Sequence, residues 1–219
     1  MASLRITMKH TLATLFLAAA VLAGCKTGND NTQTDMENQT IQSIMERRSI
    51  RHYTDRQVSR DTLQKLAELG VNAPNGMNKQ EWALRIVDDP AYLDGVTALM
   101  KEEMPLFVNT DDPKFRNGFR NAPAVIFVAG PQEDAAGMNA ISIGALCENI
   151  CIAAQSMGLG SIIMGGPTMF MGTNEAARPY LERLNLPEGY KLYICVGVGY
   201  ADEAPDAKPR DLGKIEFVD

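Results

Sequence analysis

Histidine is almost missing from this chain. Of 219 residues only His10 and His52 carry an imidazole, so a multi-histidine metal site or a Cys2His2 finger cannot be assembled. An excess of positive charge is missing as well. Lys and Arg total 21 against 27 Asp and Glu, a formal charge of -6, opposite to the basic footprint that nucleic-acid binding requires. No uninterrupted apolar run approaches the ~20 residues that a helix needs to cross a ~30 Å hydrocarbon core. No Gly-x-Ser-x-Gly elbow accompanies His52, so the framework of a Ser-His-Asp hydrolase is lacking. There is no internal repeat. What is present is ordinary globular composition, with 45% hydrophobic and 22% charged residues, in a length suited to one domain with a real core.

The first residues form an address. Arg5 and Lys9 precede the uncharged run from Leu12 to Leu22, and Ala23-Gly24-Cys25 follows, the layout of a secretory signal. Met8 is an alternative start to Met1. Leu22-Ala23-Gly24-Cys25 resembles the bacterial lipoprotein box, which implies cleavage before Cys25 and lipidation of its thiol. It also implies an exported protein held on the periplasmic or outer-surface face of a membrane through that lipid alone. A plain signal cleaved near Cys25 is the alternative. Residues 25–39 have almost no apolar content and read as a flexible tether, leaving 40–219 as the folded domain. Loss of residues 1–24 removes Arg5 and Lys9 and no acid, so the mature chain has 19 basic and 27 acidic side chains, net -8. Cys147, Cys151 and Cys195 are an odd set for an exported protein and read as buried thiols.

Within the domain, Ile41, Ile44 and Met45 at helical spacing behind Thr40 predict a short amphipathic helix capped by Thr40. Ser59 caps a second helix with Leu63, Leu66, Ala67 and Gly70 on one stripe, Gly70 serving its exit. Trp82 to Val87 reads as a strand. Asp89-Pro90 opens a helix through Glu103, and 104–123 is irregular. Ala124 to Ala129, a continuous apolar run, predicts a strand covered on both faces. From Asp134 to Met157, residues Ile141, Ile143, Leu146, Ile150, Ala153, Ala154 and Met157 predict a central helix with little polar circumference. A short strand at Ser161–Met164, a turn at Gly165-Gly166-Pro167, a helix near Pro179–Leu184 and a strand at Lys191–Val198 complete the pattern. Such alternation indicates a layered α/β or α+β domain.

Four segments could carry chemistry. Arg47-Arg48-Ser49-Ile50-Arg51 puts three guanidinium groups and a hydroxyl within five residues, suited to an anion such as phosphate or equally to a solvated helix end. Pro74 to Trp82, with Asn75, Asn78 and Gln80, offers mixed amide donors and acceptors in a turn. Gly165 and Gly166 leave backbone N–H groups open to close approach, or form a tight turn. Lys208-Pro209-Arg210 adds two cations to a weakly patterned tail.

In this order the segments RRSIR (47–51), PNGMNKQEW (74–82), AAQSMGLG with GG (153–160, 165–166) and KPR (208–210) resemble the nitroreductase family of FMN-dependent oxidoreductases. The resemblance covers about Ile41 to Asp219. It implies an α+β fold of three layers, α-β-α, with a mainly antiparallel sheet, and a homodimer with two flavin sites at its interface. It further implies that Arg47, Arg48, Ser49 and Arg51 contact the phosphate, ribityl chain and pyrimidine edge of FMN, with Arg51 near O2. Pro74, Asn75 and Asn78 would border the ring from the partner subunit. The amides of Gly165 and Gly166 would approach N5 and O4, and Lys208 and Arg210 would complete the phosphate site. Asn75 stands where the family usually has Ser, and Glu81 where it has Pro. The implied reaction passes hydride from NADH or NADPH through the flavin to an electron-poor small molecule such as a nitroaromatic or quinone. A cation such as Arg51 would favour the reduced ring, and no side chain acts as nucleophile. Because nicotinamides are cytoplasmic, the alternative is a lipid-anchored protein that binds flavin or another phosphate ligand without turnover.

Overall fold

The apolar run that begins at Ala124 becomes strand β2 (Ala124–Pro131), buried from Ala124 to Gly130, in a computed structural model that describes residues 38–105, 108 and 110–218. The expected signal, Cys25 and nearly all of the tether lie outside the described residues. Alternation along β2 sends its side chains into two separate cores. Ala124, Ile126 and Val128 pack with Leu63 and Leu66 of α2 (Arg60–Gly70) and with Ile143, Leu146 and Ile150 of α4 (Met138–Ser156). Val125 and Phe127 face the other way, toward Tyr92, Leu93 and Val96 of α3 (Pro90–Glu103) and Phe170 and Met171 of α5 (Gly166–Thr173). Helices on both faces of a sheet make three layers.

The sheet has the order β1-β2-β4-β3, with β1 at Ala83–Val87, β3 at Gly160–Met164 and β4 at Tyr190–Gly199, and every pairing is antiparallel. A bulge between Val128 and Ala129 shifts the β2/β4 register. Among the described residues α1 (Gln39–Glu46) and α6 (Arg178–Arg183) complete the α-helices. The helix expected over 90–103 is present with Asp89 as its cap, its carboxylate accepting from the Ala91 N–H.

Four local expectations are corrected. α1 is capped by Asn38 rather than Thr40; the Asn38 amide oxygen accepts from the N–H of Thr40 and Ile41. α4 starts at Met138 rather than Asp134, because Gly137 takes a left-handed φ of 67° and interrupts the helix. Asp134 caps it from outside the first turn, accepting from Asn139 and Ala140 N–H at 3.1 and 3.0 Å. Burial raises the pKa of that carboxyl, but these bonds with the Tyr193 hydroxyl outweigh it and hold it below the usual range. Residues 166–173, read as a turn from Gly-Gly-Pro, form α5; proline suits the first turn of a helix because its missing N–H is not needed there. Gly70 serves close packing rather than exit geometry, since a Cβ there would lie 2.7 Å from Ile150 Cγ1.

α4 is less enclosed than its sequence suggests. Ile143, Leu146 and Ile150 are buried, but Ile141 is 65% exposed, as is much of Met138 and Met157. The three cysteines Cys147, Cys151 and Cys195 are free and buried, and burial pushes the Cys147 thiol up to about 12.

Candidate flavin site

The arginine segment is held as a short extended strut between the sheet and the C-terminal arm. On one side Ile50 N–H donates to Ser161 O at 3.0 Å, and Ser49 bridges Ser161 in parallel. Ile50 is buried against Gly160, where an added Cβ would come within 2.8 Å of its Cγ1. On the other side Thr54 N–H donates to Tyr200 O at 2.8 Å and Asp202 N–H to His52 O at 2.9 Å, with Tyr53 bridging Ala201. Burial drives the Tyr53 hydroxyl pKa far up, so it stays a neutral donor, here to Ile50 O at 2.9 Å. Burying Ile50 and Tyr53 thus leaves their neighbours in sequence pointing outward.

That strut brings the two ends of the domain together. Arg47, Arg48, Ser49 and Arg51 line one cavity of about 260 Å³ with Pro205, Asp206, Lys208 and Arg210. Five cations face one carboxylate there, in a protein that is acidic overall. Among the described residues, Arg48, Arg51, Lys208 and Arg210 have no carboxylate within ion-pair distance; Arg47 Nε lies 3.4 Å from Glu148. The same Nε is buried without a hydrogen-bond partner. Arg48 donates to Met45 O and Arg47 O at 2.7 and 2.8 Å, Arg51 to Ser49 O at 2.9 Å, and Arg210 to Lys208 O at 3.0 Å. Each guanidinium has five donors, so most remain free. Convergent donors, four of them without an acidic partner, are what a phosphate dianion needs, and the residues present fit the phosphate end of FMN.

The other predicted residues lie elsewhere. Asn75 lines a second cavity, of about 440 Å³, with Met77, Gln80 and residues of the 131–142 segment. Its amide oxygen accepts from Gln80 N–H at 2.9 Å, and Asn78 Oδ1 from Gln80 Nε2 at 3.2 Å. Met77, Asn78 and Gln80 all take positive φ near 53°, a conformation that costs non-glycine residues free energy. Pro74 is exposed beside this loop. Gly165 and Gly166 line neither cavity, and a Cβ on either would meet nothing within 4 Å. The space in front of them is open in the single chain.

Sequence reasoning missed several residues that the fold places at the arginine strut. The Glu203 carboxylate accepts from Arg51 N–H and, at 3.3 Å, from His52 N–H. Asn121 Nδ2 donates to Arg51 O at 2.8 Å. Arg51 also lines a third cavity, of about 170 Å³, with His52, Asp112, Asn117, Arg120 and Asn121. In sequence, 104–123 shows no periodic pattern. Its one legible signal was a dense run of Asn, Arg and Gly, which marks turns without saying what they face.

A family model described as Nitroreductase family matches residues 44–200. The NADPH-flavin oxidoreductase of Vibrio harveyi is 26% identical over 79% of this chain and 70% of its own. A nitroreductase with bound FMN from Bacteroides fragilis superposes with a TM-score of 0.71 at 26% identity, covering 83% of this chain and 100% of that one. A nitroreductase with bound FMN from Desulfitobacterium hafniense gives 0.71 at 28%, covering 83% and 99%.

Proposed function

The chain belongs to the nitroreductase family, and from that premise we propose how its own residues serve an FMN-dependent NAD(P)H oxidoreductase. Bound FMN supplies the redox chemistry, taking reducing equivalents from a nicotinamide and passing them to an electron-poor small molecule. The observation that supports the assignment of residues is the cavity in which Arg47–Arg51 meets Lys208 and Arg210. There Arg47, Arg48, Ser49, Lys208 and Arg210 hold the phosphate and ribityl oxygens, while Arg51 turns its charge to the pyrimidine edge of the ring. Pro74, Asn75 and Asn78 border the ring from the partner subunit. Gly165 and Gly166, with open space before their backbone, let the ring approach where any side chain would intervene.

The working unit in this reading is a homodimer. Ile44 and Met45 of α1, Ile141 of α4 and Met157 just after it leave apolar side chains exposed, and Leu212, Ile215, Phe217 and Val218 of the tail are 70–99% exposed, side chains that a partner subunit would cover. Before that domain we place a lipoprotein signal over residues 1–24, lipidation at Cys25 and a tether to residue 39, giving an exported enzyme anchored by its lipid. Cys25→Ala is then expected to release the protein from membranes; continued tight association would end the lipid-anchor reading.

The visible spectrum of the purified protein tests the activity. A flavin band that bleaches with NADH or NADPH and returns with a nitroaromatic or quinone is the expected result. A band that neither bleaches nor recovers would mean binding without turnover.

A further inference from the structure

Arg51 is exposed, yet both polar groups of its backbone are taken by side chains from distant segments. Its N–H is held by the Glu203 carboxylate and its carbonyl by the Asn121 amide at 2.8 Å. Exposed backbone groups are ordinarily satisfied by water, so two dedicated side chains do more than satisfy them. Each of these side chains is itself fixed. Asn121 is 5% exposed, and its oxygen accepts from Arg116 N–H and Asn117 N–H at 2.7 and 3.4 Å. It takes a φ of 65°, a left-handed conformation that Asn tolerates better than most residues. Glu203 follows the Asp202 N–H bond to His52 O, and its second oxygen lies 4.0 Å from His52 Nε2. The guanidinium of Arg51, by contrast, makes a single bond, to Ser49 O, and Arg51 lines both the cation-rich cavity and the one lined by Asn117 and Arg120.

We propose that Asn121 and Glu203 are positioning residues that clamp the Arg51 backbone from both sides, so that its guanidinium is set in one direction at the edge of the flavin ring. The inference rests on the assignment of Arg51 to that edge. A side chain with four rotatable bonds scatters its charge unless its origin is fixed. Fixing both peptide groups removes the backbone share of that freedom before the cofactor arrives, which is preorganisation. A fixed cation at the pyrimidine edge favours the more negatively charged, reduced form of FMN over the oxidised form.

The sign of the effect separates positioning from charge. Removing the Glu203 carboxylate acts through charge alone to favour reduced FMN and raise the midpoint potential of the bound cofactor; loosening Arg51 lowers it. Glu203→Ala and Asn121→Gly, the latter chosen because glycine accepts the positive φ, are each expected to cut the preference for reduced FMN about tenfold, a fall of about 30 mV for a two-electron couple. Glu203→Gln keeps an acceptor oxygen for the two N–H groups and is expected not to fall. Arg51→Ala is expected to fall at least as far as either, and adding Asn121→Gly to it should produce no further fall, since the clamp acts through the side chain already removed.

The potential of each FMN-loaded full-length variant and the melting temperature of its apoprotein decide the matter together. A rise in Glu203→Ala, a further fall in the Arg51→Ala, Asn121→Gly double variant, or lowered melting temperatures with an unmoved potential would each overturn the clamp. A potential unmoved by Arg51→Ala would instead overturn the placement of Arg51 at the ring, and the clamp's purpose with it.

Discussion

The two ends of the candidate flavin site are built differently. The end proposed for the phosphate lies within one chain: a strut bonded to β3 on one side and to the C-terminal arm on the other presents three arginines to one cavity, and Lys208 and Arg210 of the arm add two more cations. The ring end is not. Its loop, Pro74 to Trp82, is held mainly by its own amides in a strained conformation, lines a different cavity, and faces no arginine of the first. A charge site can be preformed because the repulsion among its cations is spread over several carbonyls and water. A site for a flat ring needs walls on both faces, and in the proposed dimer the Pro74 loop of one subunit would close over the open space before Gly165 and Gly166 of the other.

The largest effects should come from the phosphate end. Arg47→Ala or Arg210→Ala removes a charge-assisted bond of about 1.5–3 kcal/mol, which is about one to two decades of FMN affinity at equilibrium. Riboflavin, which lacks the phosphate, should lose little in either variant. Fluorescence titration of both ligands distinguishes them, and an equal loss for FMN and riboflavin would dissolve the contrast between the two ends.

Asn78→Ala removes one neutral amide and should cost about 0.5–1.5 kcal/mol, a weakening of about two- to tenfold. Its value lies in mixed dimers. When one subunit carries Arg47→Ala with Arg210→Ala and the other carries Asn78→Ala, half of the sites combine all lesions and half have none, provided the two ends come from different subunits. Titration should show half of the sites at unaltered affinity. If no site keeps that affinity, both ends belong to the same chain.

The smallest expected change is none. Cys147 is pushed up to about 12 by burial, and the same burial raises Cys151 and Cys195. At pH 8 the folded protein therefore holds them as neutral thiols, below the pH at which any would ionise. A chromogenic disulfide reagent should leave all three unmodified until the protein is denatured; rapid labelling of Cys147, Cys151 or Cys195 in the native protein would place that thiol at the surface instead.

The layered fold was legible where the sequence carried an unambiguous physical signal. AVIFVA at 124–129 has no polar residue to face water, so both faces had to be covered. Asp89-Pro90 sets a cap and a first turn in two letters. α5 was hidden because Gly166 and Pro167, read locally, signal a turn, whereas its helical identity comes from Phe170 and Met171 docking into the core under the sheet. At the site, cations clustered in sequence were visible, and their pairing with Lys208 and Arg210 was suggested by the family pattern. Asn121 and Glu203 were not visible, because they act on the backbone of Arg51, and nothing in a side chain's identity reveals which distant peptide it will hold.

The strut also carries a consequence for the order in which the site can assemble. Its outer side is secured by Tyr200, Ala201, Asp202 and Glu203, and its cavity is closed by Lys208 and Arg210, whereas the buried members of both cores end at Val198. Both cores can therefore close before the cation-lined cavity exists, so folding and readiness for an anion are separable events.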